Sequence, residues 1–559
     1  MNGLAVTFPM NLSRYYHTLR YLRLRQIYGR IWHKIYHPRA DLRSAPALRR
    51  LDGIWQSECL RSSVMQGPTT FRFLNITGSV ETSYDWDDPA KIRLWRYNLH
   101  YFDDLNSAGG GERLGWHRSL IARWIGENPP RTGTGWEPYP TSLRIVNWIK
   151  WDIGCRSRDE SALNEQSLNS LAVQTRWLVN KLEFHLLGNH LLANAKALVF
   201  AGVYFVGSEA DSWLRKGLGI FEQELPEQIL ADGGHFERSP MYHSILLEDV
   251  LDLINLSGVA PTCFSHKILD QLSDIAIRML RWLRVMTHPD GKIALFNDAA
   301  FDIAPDYAAI AEYAQRLNIP EDQSALRLLE ALPDSGYVRL QNERAVVICD
   351  VAFIGPDYLP GHAHADSLSF ELSLDGQRVL VNGGTSTYEL GAERQRQRGT
   401  AAHNTVVIDG EDSSEVWGGF RVARRARPFG VSWGNEKGDS WLEASHDGYL
   451  RLAGRVVHSR RWVLEPNVLR IEDKLDGHYE EAFAAFHLHS NVSTRTVEHS
   501  GSADLLILNS NMQMRFSCAP PAEISSAQTM WHPEFGQSMN NTTLTAKFQS
   551  NSFISRLSW

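Results

Sequence analysis

The feature that most constrains this chain is a change of hydrophobic period near residue 335. Upstream, from about Leu114 to Leu332, apolar residues recur every three or four positions over long segments, which predicts amphipathic helices. Ser142 to Trp151, Leu163 to Leu182, Leu191 to Val206 and Ile268 to Met286 are the clearest. Pro138, Pro140, Gly188, Asp232-Gly233-Gly234 and Pro289-Asp290-Gly291 punctuate them, so the helices are expected to pair antiparallel through short loops. Downstream the pattern shortens to alternating runs rich in β-branched and aromatic residues, among them Tyr337 to Leu340, Ala345 to Val351, Arg378 to Val381 and Arg451 to Val463. Turn sequences such as Leu374-Asp375-Gly376 separate these runs, which predicts hairpins of an antiparallel sandwich. A single core does not serve 559 residues. The chain therefore divides into a basic helical extension and linker over 1–90, a helical domain over 91–335 and an antiparallel β-sandwich over 336–559.

The formal charge of −7 supplies no global field for nucleic acid, so no nucleic-acid partner is expected. The charge is uneven, however. The first fifty residues carry Arg14, Arg20, Arg23, Arg25, Arg30, Lys34, Arg39, Arg43, Arg49 and Arg50 against the lone acid Asp41. Such a segment suits peripheral contact with a membrane surface or an acidic polymer, and equally a solvated helix face. No apolar run approaches the roughly 20 residues that span a bilayer. Met1 to Met10 lacks a basic start and an unbroken apolar stretch, so no signal peptide is expected. That reading places the protein in the cytoplasm, or in the periplasm if a leader has been removed. Cys59, Cys155, Cys263, Cys349 and Cys518 are scattered without ligand spacing and read as buried thiols.

Three histidine-bearing segments carry the chemistry. Gly361-His362-Ala363-His364-Ala365-Asp366 stands at the start of an expected strand, whose period of two would turn His362, His364 and Asp366 to one face. Gly188-Asn189-His190 opens an apolar helix, where Asn189 reads as an N-cap and the free amides favour an anion. Asp232 to His243 crowds His235, Glu237, Arg238, Tyr242 and His243 into one loop and helix start. Abstracting a proton next to a carboxylate piles charge on an already charged group, so a neutral or cationic donor must first neutralise that carboxylate. An Asn, a Tyr and His residues from a second domain meet that need. Tyr serves as a base only where nearby positive charge stabilises its phenolate, a role open to the imidazoles and Arg238. The dense aromatics Trp95, Tyr97, Trp116, Trp124, Trp136, Tyr139, Trp148 and Trp151 read mainly as core, with some suited to stacking on sugar rings. No pair of acids stands out beside them, which disfavours a glycoside hydrolase.

From about Trp95 to its β-rich end the sequence resembles the heparinase II/III family of polysaccharide lyases. The likeness is carried by Trp136-Glu137-Pro138-Tyr139-Pro140-Thr141-Ser142-Leu143-Arg144, Gly188-Asn189-His190, Gly233 to His243, Gly361 to Asp366 and Ala402-His403-Asn404-Thr405. The resemblance implies an incomplete α/α toroid followed by an antiparallel β-sandwich, and β-elimination in a 4-linked, uronate-containing anionic polysaccharide. It implies that Asn189 neutralises the substrate carboxylate, that His190 neutralises it or acts as a base, that Tyr242 is base and acid, and that His362 enters the cleft from the β domain. Glu237 and Arg238 then support Tyr242, and Arg398 and Trp136 bind substrate. It further implies that no cofactor is needed for the chemistry, while His364, Asn382 and His403 hold a structural, zinc-like divalent metal. Asn382 stands where the family has an Asp, and a neutral amide is a weaker ligand, so a hydrogen-bonded histidine cluster is the competing expectation. The rival functional reading is a non-catalytic or biosynthesis-associated polysaccharide-binding protein of an exopolysaccharide or O-antigen pathway.

Overall fold

The computed structural model describes all residues except 1–11, 60, 157–161, 323, 500–501, 510–511, 521 and 549. The segment read above for a leader peptide thus lies outside the described residues. Helices α1 (Leu12–Leu19) and α2 (Leu24–Ile35) come first. Among the described residues up to 90, the remainder of the expected helical extension is instead irregular chain, a hairpin of Thr70–Phe73 with Ile76–Ser79, and a short 3-10 helix at Ser83–Asp87. Leu74 and Asn75 turn it with positive φ.

The helical domain comprises α3 (Arg93–Tyr101), α4 (Leu114–Glu127), α5 (Pro138–Arg156), α6 (Glu165–Val179), α7 (Gly188–Tyr204), α8 (Ser208–Gln228), α9 (Pro240–Val259), α10 (His266–Val285) and α11 (Tyr307–Arg316). It is an incomplete α/α toroid. α7 is buried along nearly its whole length and packs against α5, α6, α8 and α9. Its sequence, Leu-Leu-Ala-Asn-Ala-Lys-Ala-Leu-Val-Phe-Ala, is apolar around most of its circumference, as a helix enclosed by neighbours requires, and its polar members are paired, Asn194 with Ser142 and Glu183, Lys196 with Asp249 and Asp252. Pro138 and Pro140 fall in the first turn of α5, where a missing N–H costs nothing. At the start of α9, Pro240 stands in the first turn and Ser239 accepts a hydrogen bond from the Tyr242 amide.

The second domain begins with the strand Leu329–Leu332, a few residues before the expected boundary. Five strands, up to Gln377–Leu380, form an antiparallel meander. An eight-stranded and a four-stranded antiparallel sheet complete the sandwich. All three sheets contribute to one apolar core, through Val347 and Leu372 from the meander, Phe486 and Leu544 from the smaller sheet, and Trp462, Ile471 and Phe553 from the larger. Between meander and four-stranded sheet lies the short helix α12 (Ala392–Arg398).

One expectation fails at the point that matters most. Residues 361–366 are not strand; the nearest strand starts at Phe370. The segment's backbone groups are taken by other partners. The Ala365 amide donates to Arg398 O at 2.9 Å, and His362 O accepts from the Asp298 amide at 2.9 Å. A ladder has no groups left to pair, so the segment is a loop pinned between the domains.

Candidate active site

The pinned loop delivers both imidazoles to one carboxylate. His362 Nδ1 lies 2.9 Å from Asp298 Oδ2, and His364 Nε2 lies 2.8 Å from Asp298 Oδ1. Arg394 from α12 grips the same carboxylate with two guanidinium nitrogens, one at 2.7 Å from Oδ2. Asp298 is fully buried. Burial by itself would raise its pKa, but Arg394 and the two imidazoles outweigh that and hold it well below the usual carboxylate range. An ionised carboxylate only accepts, so His362 must donate from Nδ1 and His364 from Nε2. His362 Nε2 lies on the side of Glu237, in a ring that keeps some solvent access.

Tyr242 stands against this imidazole. The rings have centroids 4.0 Å apart, and the Tyr242 hydroxyl is 3.0 Å from that of Tyr388. Burial, Tyr388 and Asp298 push the Tyr242 phenol well above its normal value. The nearby cation is Arg394, 4.9 Å from the Tyr388 ring centroid. Arg238, expected to help the phenolate, faces elsewhere. Its guanidinium donates to the carbonyls of Ser335, Phe353 and Gly355 at 3.0–3.1 Å and ties the toroid to the sandwich.

The second part of the site is the start of α7. The helix begins at Gly188, so Asn189 lies inside the first turn and is not the N-cap. Its amide donates to Glu237 Oε1 at 3.3 Å, and Glu237 Oε2 is 3.6 Å from His362 Nε2. The anion received by this helix start is therefore the protein's own Glu237. Burial raises the Glu237 pKa, with His362 and the Asn189 amide opposing. His190 lies against the Tyr139 ring, centroids 4.5 Å apart, with Nδ1 3.2 Å from Glu183 Oε1. Burial disfavours its charged form, but Glu183 outweighs burial and raises the His190 pKa. An imidazolium is thus favoured at the start of α7.

Asn189, His190, Glu237, Tyr242 and His362 come together as one constellation; the other expected site residues do not join it. Arg398 is buried, and donates to Ala363 O at 2.8 and 3.1 Å, fixing the histidine loop instead of facing the cleft. Trp136 is buried in the toroid core, its indole donating to Asn128 O. Tyr139, three residues on, is the aromatic of that motif that reaches His190. Asp366 accepts from the Asn297 amide at 3.2 Å, and burial lifts its pKa to about 6.

The residues expected to hold a metal are adjacent but incomplete. The His364 and His403 rings have centroids 5.3 Å apart, and His403 Nδ1 is 3.4 Å from Asn382 Oδ1. His364 Nδ1 and His403 Nε2 are buried without hydrogen-bond partners. Two neutral imidazoles and an amide supply no charge to a divalent ion, and among the described residues no group of three or more His, Cys, Asp or Glu side chains is placed to hold one. The donor set does not fit zinc, and no step below passes through a metal.

Sequence reasoning missed Asp298, Arg394 and Tyr388. Asp298 had a readable mark, being an acid within the apolar run Ile293 to Phe301. Arg394 shares a helix face with Arg398 at a spacing of four, and nothing local distinguishes the two.

Comparison with known proteins places these features in context. The sequence pattern described as Heparinase II/III N-terminus matches residues 114–325, and that described as Heparinase II/III-like, C-terminal matches 324–559. A heparin-sulfate lyase of Bacteroides stercoris is 24% identical over 375 residues, 59% of this chain and 56% of that protein. FtsZ-localized protein C of Caulobacter vibrioides is 28% identical over 421 residues, 70% of this chain and 66% of its own. The chain thus spans less than two thirds of either relative's length. The crystal structure of a heparinase III shares the fold with a TM-score of 0.65 at 16% identity, covering 98% of this chain and 86% of that one.

Proposed function

The chain belongs to the heparinase II/III family, and on that premise we propose that it is a polysaccharide lyase cleaving a 4-linked, uronate-containing polymer by β-elimination. One observation carries the reading. Tyr242 from the toroid and His362 from the sandwich loop lie with ring centroids 4.0 Å apart, tilted by 33°, and His362 Nδ1 is fixed on the ionised Asp298.

In the proposed reaction the uronate carboxylate is received by the Asn189 side chain and the His190 imidazolium, which lowers the cost of the developing charge. The proton next to that carboxylate is removed, the bond from the ring to the leaving oxygen breaks, and a carbon–carbon double bond forms. Tyr242 takes the proton as phenolate and returns one to the leaving oxygen. Its buried phenol is protonated in the free protein, so its loss of a proton must be coupled to substrate binding. The Tyr388 hydroxyl, 3.0 Å from that of Tyr242, offers the first relay for that proton, and the His362 ring stands beside it to receive it. Asp298 and Arg394 position the imidazole and do not touch the substrate.

The test is a panel of uronate polymers followed by the ultraviolet absorbance of the unsaturated product. Wild type is expected to generate product on at least one polymer, and Tyr242→Phe to lose about 10²–10⁴-fold in kcat. A Tyr242→Phe variant as active as wild type would falsify the mechanism. The second reading, a non-catalytic polysaccharide-binding protein of a biosynthetic assembly, keeps support from the relative named for FtsZ localization. Saturable oligosaccharide binding with no unsaturated product from any uronate polymer would establish it instead.

A further inference from the structure

Helices α1 and α2 are amphipathic in the reverse sense. In α2 the side facing the protein is polar or small. Gln26 is buried and donates to Tyr358 O at 3.1 Å, a Cβ on Gly29 would sit 3.0 Å from His185, and the His33 ring packs on His185. The outward side is Leu24, Ile27, Tyr28, Ile31, Trp32 and Ile35, all exposed, with Leu24 at 83% and Ile35 at 70%. At 100° per residue these six cover an arc of about 140°. Helix α1 repeats the pattern with exposed Leu12, Tyr15, Tyr16 and Leu19 at the same spacing. A soluble helix docks its apolar stripe and leaves the polar one to water; here the stripe is left in water over five turns of helix.

We propose that α1 and α2 form a docking surface for an anionic lipid membrane. Charge identifies the occupant. Residues 12–40 contain Arg14, Arg20, Arg23, Arg25, Arg30, Lys34 and Arg39 and no acid. On α2, Arg30 and Lys34 lie along one border of the apolar arc; Arg25, on the other border, pairs with Glu224, and Arg23 with Glu227, so Arg30 and Lys34 carry most of the attraction. That is the layout of a helix lying in a bilayer interface, apolar face down and cations level with the headgroups. Tyr28, Trp32 and Tyr36 stack along the same side, with centroids 6.3 and 4.9 Å apart, and such rings suit the headgroup boundary. A second copy of the chain is a poorer occupant, because apposed faces would bring like charges together.

The surface adjoins the candidate active site. Tyr15 packs edge-on against Trp417 at 4.9 Å, and Gln26 holds the loop that leads to His362. Membrane docking would therefore set the cleft beside the lipid surface, where a membrane-attached or emerging polysaccharide is presented to it. The docking proposal does not depend on lyase activity.

The experiment is co-sedimentation of the full chain with vesicles of phosphatidylcholine alone and of equimolar phosphatidylcholine and phosphatidylglycerol. Binding is expected to the anionic vesicles and to weaken with salt. The pair Arg30→Ala and Lys34→Ala is expected to lower the partition coefficient roughly thirty-fold. The pair Ile31→Asp and Ile35→Asp is expected to abolish binding with an unchanged circular dichroism spectrum and melting temperature, since both residues are exposed. Equal sedimentation of wild type and either folded variant overturns the proposal. So does a concentration-dependent dimer that is lost in Ile31→Asp and Ile35→Asp while vesicles capture nothing, because a second copy would then be the occupant.

Discussion

Glu183 shows how one buried carboxylate sets the chemistry of a neighbour. It accepts from Asn194 Nδ2 at 3.1 Å and stands 3.2 Å from His190, raising the imidazole's pKa against the opposing effect of burial. A raised pKa means that the charged ring persists as pH climbs and is lost only above the folded value. If His190 neutralises a substrate carboxylate, kcat/KM must fall on the alkaline side as the ring deprotonates. Glu183→Gln keeps the shape and removes the charge. It is expected to move that alkaline limb to lower pH and to cost about tenfold in kcat/KM at the alkaline end. An unmoved pH profile in a folded variant would exclude His190 from that role. At this scale the sequence exposed Asn189, His190, Tyr242 and His362, because unusual polar residues crowd short motifs there. Glu183 and Asp298 stayed hidden, since each acts through a fold contact and neither stands in a polar cluster of its own.

The element that gathers the site is the start of α7. Gly188 has φ 54°, and a Cβ there would lie 2.6 Å from both Glu237 Oε1 and Leu359 Cδ2. The left-handed backbone and the lack of a side chain let Glu237 close on the Asn189 amide. Gly188→Ala is expected to destabilise the protein by about 1–3 kcal/mol and to lower activity with it, because Glu237 and the Leu359 loop must both move. Gly219, within α8, has no atom within 4 Å of a built Cβ, so Gly219→Ala is expected to stabilise by about 0.5–1 kcal/mol without touching activity. Urea melts of the two variants separate the local strain at Gly188 from a general effect of replacing glycine. Helices α5, α6, α7 and α10 were legible because their periodicity spans several turns. The histidine loop read as strand because alternation of His and Ala mimics a strand's period. Its backbone partners, Arg398 O and the Asp298 amide, come from distant positions that no local pattern reveals.

Across the whole molecule the fold buries imidazoles that stay neutral. Burial lowers His288, His364 and His487 to about 4. In the unfolded chain each titrates near its ordinary value of about 6.5. Between those values the unfolded state binds protons that the folded state refuses, so stability must rise with pH across that window and fall as the solution is acidified through it. At pH 5 each such histidine removes on the order of 2 kcal/mol, and three of them rival the whole stability of an ordinary domain. Asp366 works the other way. Its pKa of about 6 lies above the unfolded value, so folding gains as it protonates, and that offsets part of the loss. Urea midpoints are therefore expected to drop steeply from pH 7 to pH 5, and His487→Gln is expected to flatten the slope by about one histidine's share. Of the three, His364 is the one that contacts Asp298; His288 pairs with Ser373 and Glu371, and His487 with Thr543. His364 donates to Asp298 Oδ1 as His362 does to Oδ2, and a proton added to His364 puts an extra, desolvated charge into the buried loop that carries both rings. Activity is accordingly expected to fail on acidification before global unfolding, with the 361–366 loop as the first part to open; coincident loss of activity and fold at every pH would show that the two are not linked in this way.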